Sequence, residues 1–329
     1  MDELSPDRLD RACGVLLGTA AGDALGAPYE FGPPLADDTP VTMAGAGGAR
    51  PRRAGEWTDD TSMAIAIAEV AALGLDLRGA AAQDRIVARW IGWADGAKDV
   101  GVQTRAVLSE VRTGGAAAAR AAAEALHART SRSGGNGSLM RTAPVALAYL
   151  DNADALVEAA SALSALTHFD PEAGEACVLW CLAIRHAVLT GGLDIQVGLE
   201  RLAPERRPVW AERIDVAEAS RPADFAKNGW VVEAFQAAWS AIETTRAGRF
   251  GESPAGHLRY ALEAAVRGGR DADTVAAIAG GLLGAAHGAS AVPSAWRDVL
   301  HGWPGLRAAD LVALATSILR EANCRPQRC

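Results

Sequence analysis

The chain has 329 residues, of which 50% are hydrophobic and 22% are charged, a composition that excludes an intrinsically disordered chain. Its formal net charge of −8 argues against broad electrostatic capture of nucleic acids or anionic membranes. The acidic charge therefore disfavours a nucleic-acid substrate without excluding one. A polyanionic ligand would have to be held by backbone amides, a few arginines or metal ions.

The cysteines and the first residues both predict a cytoplasmic protein. The five cysteines are odd in number and lack the spacing of a disulfide framework, which favours a reducing compartment. Residues 1–10 are acidic and lack the apolar segment of a signal peptide. The longest apolar stretch, 275–286, is too short and too rich in glycine to span a bilayer, so no membrane association is expected.

The spacing of apolar residues predicts a helical protein. These residues recur mainly at intervals of three and four, and no strict alternation typical of strands is present. The predicted helices cover residues 13–24, 62–73, 83–93, 107–126, 153–166, 171–189, 231–244, 256–266, 274–287 and 308–322. Because no linker or repeat divides the chain, we predict a single all-α domain over residues 1–329, with a tail at 320–329.

The first predicted helix carries both a packing signal and two unusual acids. Gly14, Gly18 and Gly22 recur every four residues and mark a face on which another helix could pack closely. Asp23 follows near the helix end, where the helix dipole disfavours a carboxylate, so we expect it to have a buried donor as partner. Glu30 lies in the next loop among prolines and aromatic residues and is a candidate pocket acid.

Two acidic helix starts form the main chemical signal. Thr58, Asp59 and Asp60 lead directly into one apolar helix, and Asp271, Asp273 and Thr274 lead into another. Either start alone would be explained by helix capping, with Thr58 accepting amide hydrogen bonds and the acids favouring the positive helix end.

The pair changes this interpretation. If the fold brings the two starts together, four carboxylates converge, repel one another and partly protonate. Two divalent cations resolve that conflict, because hard cations prefer oxygen ligands. The sequence therefore favours a two-metal oxygen cage over two unrelated helix caps.

Two loop segments are weaker candidates for ligand binding. The run from Gly134 to Ser138 is explained equally well as a flexible connector or as a nest of amides that wraps a phosphate, and it is not a Walker loop. Its members are Gly134, Gly135, Asn136, Gly137 and Ser138. His168 precedes Asp170 and Pro171, which are predicted to start a helix, and a histidine in such a loop is typically exposed or faces a ligand.

Taken together and in this order, these segments resemble the ADP-ribosylglycohydrolase family, which includes the dinitrogenase reductase-activating glycohydrolase and the ADP-ribosylarginine and ADP-ribosylserine hydrolases. The resemblance runs from about residue 14 to residue 296 and rests on three motifs: Gly-Asp-Ala-x-Gly followed by Glu, Trp-Thr-Asp-Asp-Thr, and Asp-x-Asp-Thr-x-Ala-x-x-Gly. One departure is Arg270. Family members often have Gly-Gly directly before the acidic motif, whereas here Arg270 lies between Gly-Gly and Asp271, so the preceding turn is expected to differ.

The resemblance implies an orthogonal bundle of helices and a dinuclear centre of Mg²⁺ or Mn²⁺. It places the metal ligands at Thr58, Asp59, Asp60, Asp271, Asp273 and Thr274. It places the substrate diphosphate on residues 134–138, with Asn136 among the contacts, and the bound nucleotide near His168. Glu30, together with Asp59 or Asp60, would carry the acid–base chemistry.

The implied activity is metal-dependent hydrolysis of the bond between ADP-ribose and a protein side chain, with arginine as the first candidate. Serine-linked, O-acetyl- or nucleic-acid-linked ADP-ribose remain alternatives, so the substrate is a modified protein or a small molecule containing ADP-ribose. A non-catalytic, crystallin-like relative is a different class, but the intact acidic triplets argue against it. A His-Asp phosphohydrolase and a serine hydrolase lack their motifs here.

Overall fold

The structure is a computed structural model and describes residues 5–45, 51–111, 114–246 and 253–324. Helices dominate these ranges, and the only paired strands within them form one short hairpin, β1 (His301–Gly302) and β2 (Leu306–Arg307). The α-helices are α1 (Pro6–Gly26), α2 (Asp59–Ala71), α3 (Ala80–Ala94), α4 (Val102–Glu110), α5 (Gly115–Thr130), α6 (Ala143–Ala148), α7 (Ala153–Ser164), α8 (Pro171–Thr190), α9 (Arg207–Glu218), α10 (Val231–Thr244), α11 (Pro254–Arg267), α12 (Ala272–His287), α13 (Ser294–Val299) and α14 (Ala308–Cys324). The all-α prediction is confirmed.

Nine of the ten predicted helices each overlap one observed helix, and the tenth is wrong. The segment 107–126 is broken into α4 and α5, because α4 ends at Glu110 and Gly115 adopts a φ of 59° that a continuous helix does not contain. The prediction also omitted α6 and α13, which have only six residues each, and α9, in which charged residues are interspersed with the apolar ones. The predicted tail at 320–329 is only partly within the described residues, where α14 continues to Cys324.

The centre of the fold is the contact between α1 and α12. The two helices run antiparallel, with Gly14 against Gly284 and Gly18 against Gly280. A Cβ atom at Gly18 would lie 2.2 Å from the carbonyl oxygen of Gly280, so the backbones touch where only glycine fits. The predicted glycine face is confirmed, and it brings the end of α1 to the beginning of α12.

A second core helix, α8, packs against this pair. Asp170 caps it by accepting the Glu172 N–H at 2.9 Å, with Pro171 in the first turn, as the sequence predicts. The Trp180 Nε1–H donates to the carbonyl oxygen of Ile278 on α12 at 3.1 Å. By length and composition α8 also qualifies as a membrane span, but 67% of its apolar window is buried by other helices, which is typical of a core helix.

Candidate active site

Three helix ends meet at one point: the end of α1 and the beginnings of α2 and α12. Asp23, fully buried near the end of α1, accepts the Thr58 N–H at 2.9 Å on Oδ1 and 3.0 Å on Oδ2. It also accepts the N–H and the hydroxyl of Thr61, at 3.0 and 2.7 Å. The expectation that Asp23 has buried donors is confirmed.

This arrangement corrects the capping interpretation of Thr58. The N-terminal amides of α2 are capped by Asp23 from another helix, and the Thr58 side chain caps none of them. Its hydroxyl instead donates to Asp60 Oδ2 at 2.9 Å. Asp271, at the beginning of α12, likewise makes no side-chain capping hydrogen bond. Helix capping therefore does not explain the acids at either helix start.

The two acidic starts converge through Asp60 and Asp273. Carboxylate oxygens of Asp23, Asp60 and Asp273 lie within 4.8 Å of one another. Asp60 is 1% exposed and Asp273 is 2% exposed. Within the described part of the chain, the Oδ1 atoms of these two aspartates are buried without a hydrogen-bond partner. Buried carboxylate oxygens are normally paired, so these two atoms have the chemistry of cation ligands.

A second group of acids shares Asp273. Oxygens of Glu30, Asp271 and Asp273 also lie within 4.8 Å of one another. Asp271 is held by the Asn136 side-chain amide, which donates to its Oδ2 at 2.7 Å, and its backbone N–H donates to Asn228 Oδ1 at 3.2 Å. The sequence predicts Glu30 as a pocket acid, and the structure brings it to the acidic cluster, whereas the position of Asp23 in the cluster was not predicted.

Burial and mutual repulsion raise the pKa values of these acids. Burial raises the pKa of Asp60 and of Asp273 well above their ordinary range, and each is raised further by neighbouring carboxylates. Burial, followed by the charges of Asp271 and Asp99, raises the pKa of Glu30 to about 8. Burial, followed by Asp23 and Asp99, raises the pKa of Asp59 to about 7. Arg52 offsets the repulsion at Glu30 only in part, and the acidic charge that remains favours the binding of cations.

The cluster opens into a cavity of about 880 Å³. Among the residues that line it are Glu30, Asp59, Asp99, Gly137, His168 and Asp271. Asp273 and Thr274 also line the cavity, whereas Thr58 and Asp60 lie behind its wall. Asp59 is on the cavity wall and belongs to neither of the two oxygen groups found among the described residues.

The glycine-rich loop contributes three of its five residues to the cavity. Gly135, Asn136 and Gly137 line it, whereas Gly134 accepts the Val231 N–H with its carbonyl oxygen and Ser138 is buried. Asn136 donates its backbone N–H to Gly229 and its side-chain N–H groups to Asn228 and Asp271. Asn136 therefore orients Asp271, and its contact with a diphosphate stays a prediction.

His168 lies beneath this loop, is 3% exposed and lines the cavity. It is therefore not exposed to solvent as its loop position allowed, and its contact with a ligand stays a prediction. A Cβ atom at Gly135 would lie 3.3 Å from His168 Nε2, and one at Gly137 would lie 3.0 Å from His168 Cε1. A side chain at either position would therefore press on the imidazole. Burial, followed by the charge of Arg141, lowers the pKa of His168 well below its ordinary value.

The segment that leads into α4, together with the first turn of that helix, was not predicted to be part of the site. Asp99, Gln103 and Thr104 line the cavity. The Gln103 side-chain amide donates to the carbonyl oxygens of Ser133 and Thr167, both at 2.9 Å, and so ties the glycine-rich loop to the segment that carries His168. A single carboxylate shortly before a short helix is too common to identify this segment from sequence.

Comparison with known proteins decides the family. The family model described as ADP-ribosylglycohydrolase matches residues 4–327, nearly the whole chain. The chain belongs to the ADP-ribosylglycohydrolase family.

Three relatives and one solved structure support this assignment. The chain is 32% identical over 305 residues to an ADP-ribosylarginine hydrolase Tri1 of Pseudomonas putida (strain GB-1), covering 89% of this chain and 75% of the relative. It is 28% identical to the Tri1 hydrolase of Serratia proteamaculans (strain 568), covering 89% and 76%. It is 29% identical to the ADP-ribosyl-[dinitrogen reductase] glycohydrolase of Rhodospirillum rubrum, covering 90% and 92%. A solved structure named "ADP-ribosylglycohydrolase-related protein complex" matches with a TM-score of 0.70 and 30% identity, covering 96% of this chain and 99% of its own.

This ADP-ribosylglycohydrolase family member accommodates its unusual Arg270 in a local turn. Gly269 and Arg270 have φ values of 70° and 60°, both in the left-handed region. Arg270 pairs with the loop after Glu30: its N–H donates to Gly32 at 2.7 Å and its carbonyl oxygen accepts the Phe31 N–H at 2.5 Å. The turn thus holds the Glu30 loop beside the start of α12, and the acids that follow Arg270 remain at the cluster.

Proposed function

We propose that this protein hydrolyses the bond between ADP-ribose and an arginine side chain of a modified protein, with two divalent cations, Mg²⁺ or Mn²⁺, as cofactors. The observation that carries the proposal is the pair of partnerless buried oxygens, Asp60 Oδ1 and Asp273 Oδ1, one on each converging helix start. Family membership supplies the reaction class.

The oxygen-rich composition of the cluster fits hard divalent cations. We assign the ligand role to Thr58, Asp59, Asp60, Asp271, Asp273 and Thr274, and the structure adds Asp23 and Glu30 as neighbouring oxygens. Bound cations would supply a more acidic water and stabilisation of developing negative charge. Asp23 and Asn136 would keep the ligands oriented, because Asp23 fixes Thr58 and Asn136 fixes Asp271.

The chain's own part in the chemistry is proton transfer. Hydrolysis forms a bond from water oxygen to the anomeric carbon and breaks the bond from that carbon to the side-chain nitrogen, through an oxocarbenium-like state. One water proton must leave the attacking oxygen, and one must reach the departing nitrogen. We assign this transfer to Glu30 with Asp59, since both carboxylates line the cavity in which the reaction would take place.

The charge of the cavity supports arginine as the modified residue. Glu30 and Asp99, which are not among the assigned metal ligands, present carboxylates to the same space, which suits a cationic guanidinium better than a neutral serine hydroxyl. The two Tri1 relatives are named as ADP-ribosylarginine hydrolases, which agrees with this choice. We expect the diphosphate on residues 134–138 beside His168, and we place the reaction in the cytoplasm, away from membranes and nucleic acid.

The test is release of ADP-ribose from arginine-linked, serine-linked and O-acetyl substrates, each with Mg²⁺, Mn²⁺ or EDTA. We expect metal-dependent release from the arginine-linked substrate. Asp60→Asn should lower the rate about 100-fold or more, because even residues that only orient metal ligands contribute about 10–100-fold.

Asp310→Asn is the matched control. Asp310 also lies in the first turn of a helix, where it accepts the Arg307 N–H at 2.8 Å at an exposed site. Its rate should equal that of the wild type. Release only from serine-linked or O-acetyl substrates would contradict the arginine assignment. Full activity in EDTA would contradict the metal assignment, and no release with ADP-ribose still bound would favour a binding role.

A further inference from the structure

A buried arginine behind the cavity has no role in the reaction outlined above. Arg141 is 1% exposed, and its guanidinium lies 3.9 Å from the centre of the Trp90 ring. One terminal nitrogen approaches Met63 Sδ at 3.7 Å, and the other donates to Thr167 Oγ1 at 2.7 Å. None of the ion pairs among the described residues includes this guanidinium. Burying a charge in this way is costly, so its contact with Thr167 calls for an explanation.

The hydroxyl of Thr167 links Arg141 to His168. Thr167 Oγ1 lies 2.7 Å from His168 Nδ1 on its other side. A guanidinium has donors and no acceptor, so the hydroxyl oxygen must accept from Arg141. The single proton of the hydroxyl is then directed at Nδ1, which makes Nδ1 the acceptor. A neutral imidazole whose Nδ1 accepts carries its proton on Nε2.

The other protonation states fit the contacts less well. With a proton on Nδ1, Thr167 Oγ1 would face two donors, and its own proton would lose the acceptor that the structure gives it. If His168 were protonated on both nitrogens, its positive charge would lie close to the positive charge of Arg141, and the two would repel each other. Burial and the charge of Arg141 both lower the pKa of His168, which agrees with the neutral form.

The proton on Nε2 faces the site. Nε2 lies 3.3 and 3.1 Å from the positions of a Cβ atom at Gly135 and Gly137, and all three residues line the cavity. We infer that Arg141, through the Thr167 hydroxyl, fixes His168 in the neutral form that presents an Nε2–H donor to the substrate. Arg141 is thus a positioning residue. The substrate contact rests on the proposed function, whereas the protonation state of His168 does not.

Nitrogen NMR of histidine in the full chain tests the protonation state directly. The chain has six histidines, so the His168 signals are assigned by their loss in His168→Gln. We expect an unprotonated Nδ1 and a protonated Nε2 at neutral pH. A proton on Nδ1, or a doubly protonated ring, would overturn the inference without any measurement of activity.

Three variants test the link. Thr167→Val removes the hydroxyl at nearly constant shape, Thr167→Ser keeps it, and Arg141→Met removes the donor but retains an apolar side chain that can pack on Trp90. We expect mixed protonation of His168 in Thr167→Val and in Arg141→Met, and the wild-type state in Thr167→Ser. A wild-type NMR state in Arg141→Met would show that the arginine is not what fixes His168.

Calorimetric titration with ADP-ribose completes the test. Thr167→Val should bind ADP-ribose about tenfold more weakly, because one oriented hydrogen bond from His168 is lost. Thr167→Ser, which keeps the hydroxyl, should bind ADP-ribose with the wild-type affinity. Wild-type affinity in Thr167→Val would overturn the link to the substrate. Absence of ADP-ribose binding by the wild type would instead contradict the proposed function, while the NMR result would still decide the state of His168.

Discussion

The carboxylate of Asp23 accepts the backbone N–H of Thr58 with both of its oxygens, at 2.9 and 3.0 Å, so the end of one helix caps the beginning of another. The same carboxylate accepts the N–H and hydroxyl of Thr61. Because Asp59 and Asp60 lie between these two threonines, the bonds that hold α1 to α2 also set the position of the acidic cluster. Stability and metal binding are therefore expected to change together at this residue.

Asp23→Asn should reduce both properties. An asparagine places an N–H₂ group opposite the donors of Thr58 and Thr61, which lowers the free energy of unfolding by about 2 kcal/mol. Mn²⁺ affinity should fall about 10–100-fold, as for other groups that orient ligands. Urea unfolding and Mn²⁺ titration measure the two effects.

Asp10→Asn is the control, because Asp10 also accepts an N–H and a hydroxyl, both from Ser290, but at an exposed site. This substitution should lower the free energy of unfolding by less than about 1 kcal/mol. Equal effects in the two variants would contradict the coupling.

The glycine face of α1 allows a second prediction. Gly18→Ala puts a Cβ atom 2.2 Å from the carbonyl oxygen of Gly280, so α1 and α12 must separate. We expect the free energy of unfolding to fall by about 3 kcal/mol or more. Gly92→Ala on α3 is the matched helical control, because no atom lies within 4 Å of its added Cβ. It should stabilise the protein by about 0.5–1 kcal/mol. Thermal and urea unfolding check both values, and a tolerated Gly18→Ala would contradict the close contact.

The glycine face and the two acidic helix starts could be predicted from sequence because each is a local pattern with one physical explanation. The convergence of Asp60 with Asp273 could be stated only as a condition, since 213 residues separate them and the packing of α1 on α12 decides their distance. Asp23 was recognised as a carboxylate in need of donors, but nothing local identifies those donors as Thr58 and Thr61. Asp99, Gln103 and Arg141 were missed for the same reason: their roles depend on contacts with distant segments.

The acidic cluster predicts how stability depends on pH when divalent cations are removed. Burial raises the pKa of Glu30 from 4.5 to about 8 and that of Asp59 from 3.8 to about 7. Between the unfolded-state and the native-state pKa of each acid, the native state binds more protons than the unfolded state. The contribution of these two acids to the free energy of unfolding therefore falls as pH rises. Histidines with lowered pKa values, such as His168, give the opposite slope below about pH 6.5. In EDTA we therefore expect the unfolding temperature to decrease between pH 7 and pH 8.

Added Mn²⁺ should reverse this trend, because cations bind the deprotonated carboxylates of the native state. The stabilisation by Mn²⁺ should therefore be larger at pH 8 than at pH 5. Calorimetry at both pH values, with and without Mn²⁺, measures it. The same series on Asp60→Asn is the control and should show a smaller effect of the metal. A protein in EDTA that becomes more stable between pH 7 and pH 8 would contradict the raised pKa values of Glu30 and Asp59.

A substitution in the glycine-rich loop should weaken substrate binding without slowing the chemical step. A Cβ atom at Gly137 would lie 3.0 Å from His168 Cε1 and 3.1 Å from Nε2, so Gly137→Ala must displace the imidazole or the loop by a few tenths of an ångström. The acids on α2 and α12 are not touched, so KM for an ADP-ribosylated substrate should rise about tenfold while kcat changes little. Gly174→Ala on α8 is the control, since its added Cβ meets no atom within 4 Å, and both constants should match the wild type. A fall in kcat at unchanged KM would place His168 in the chemical step instead of in substrate binding.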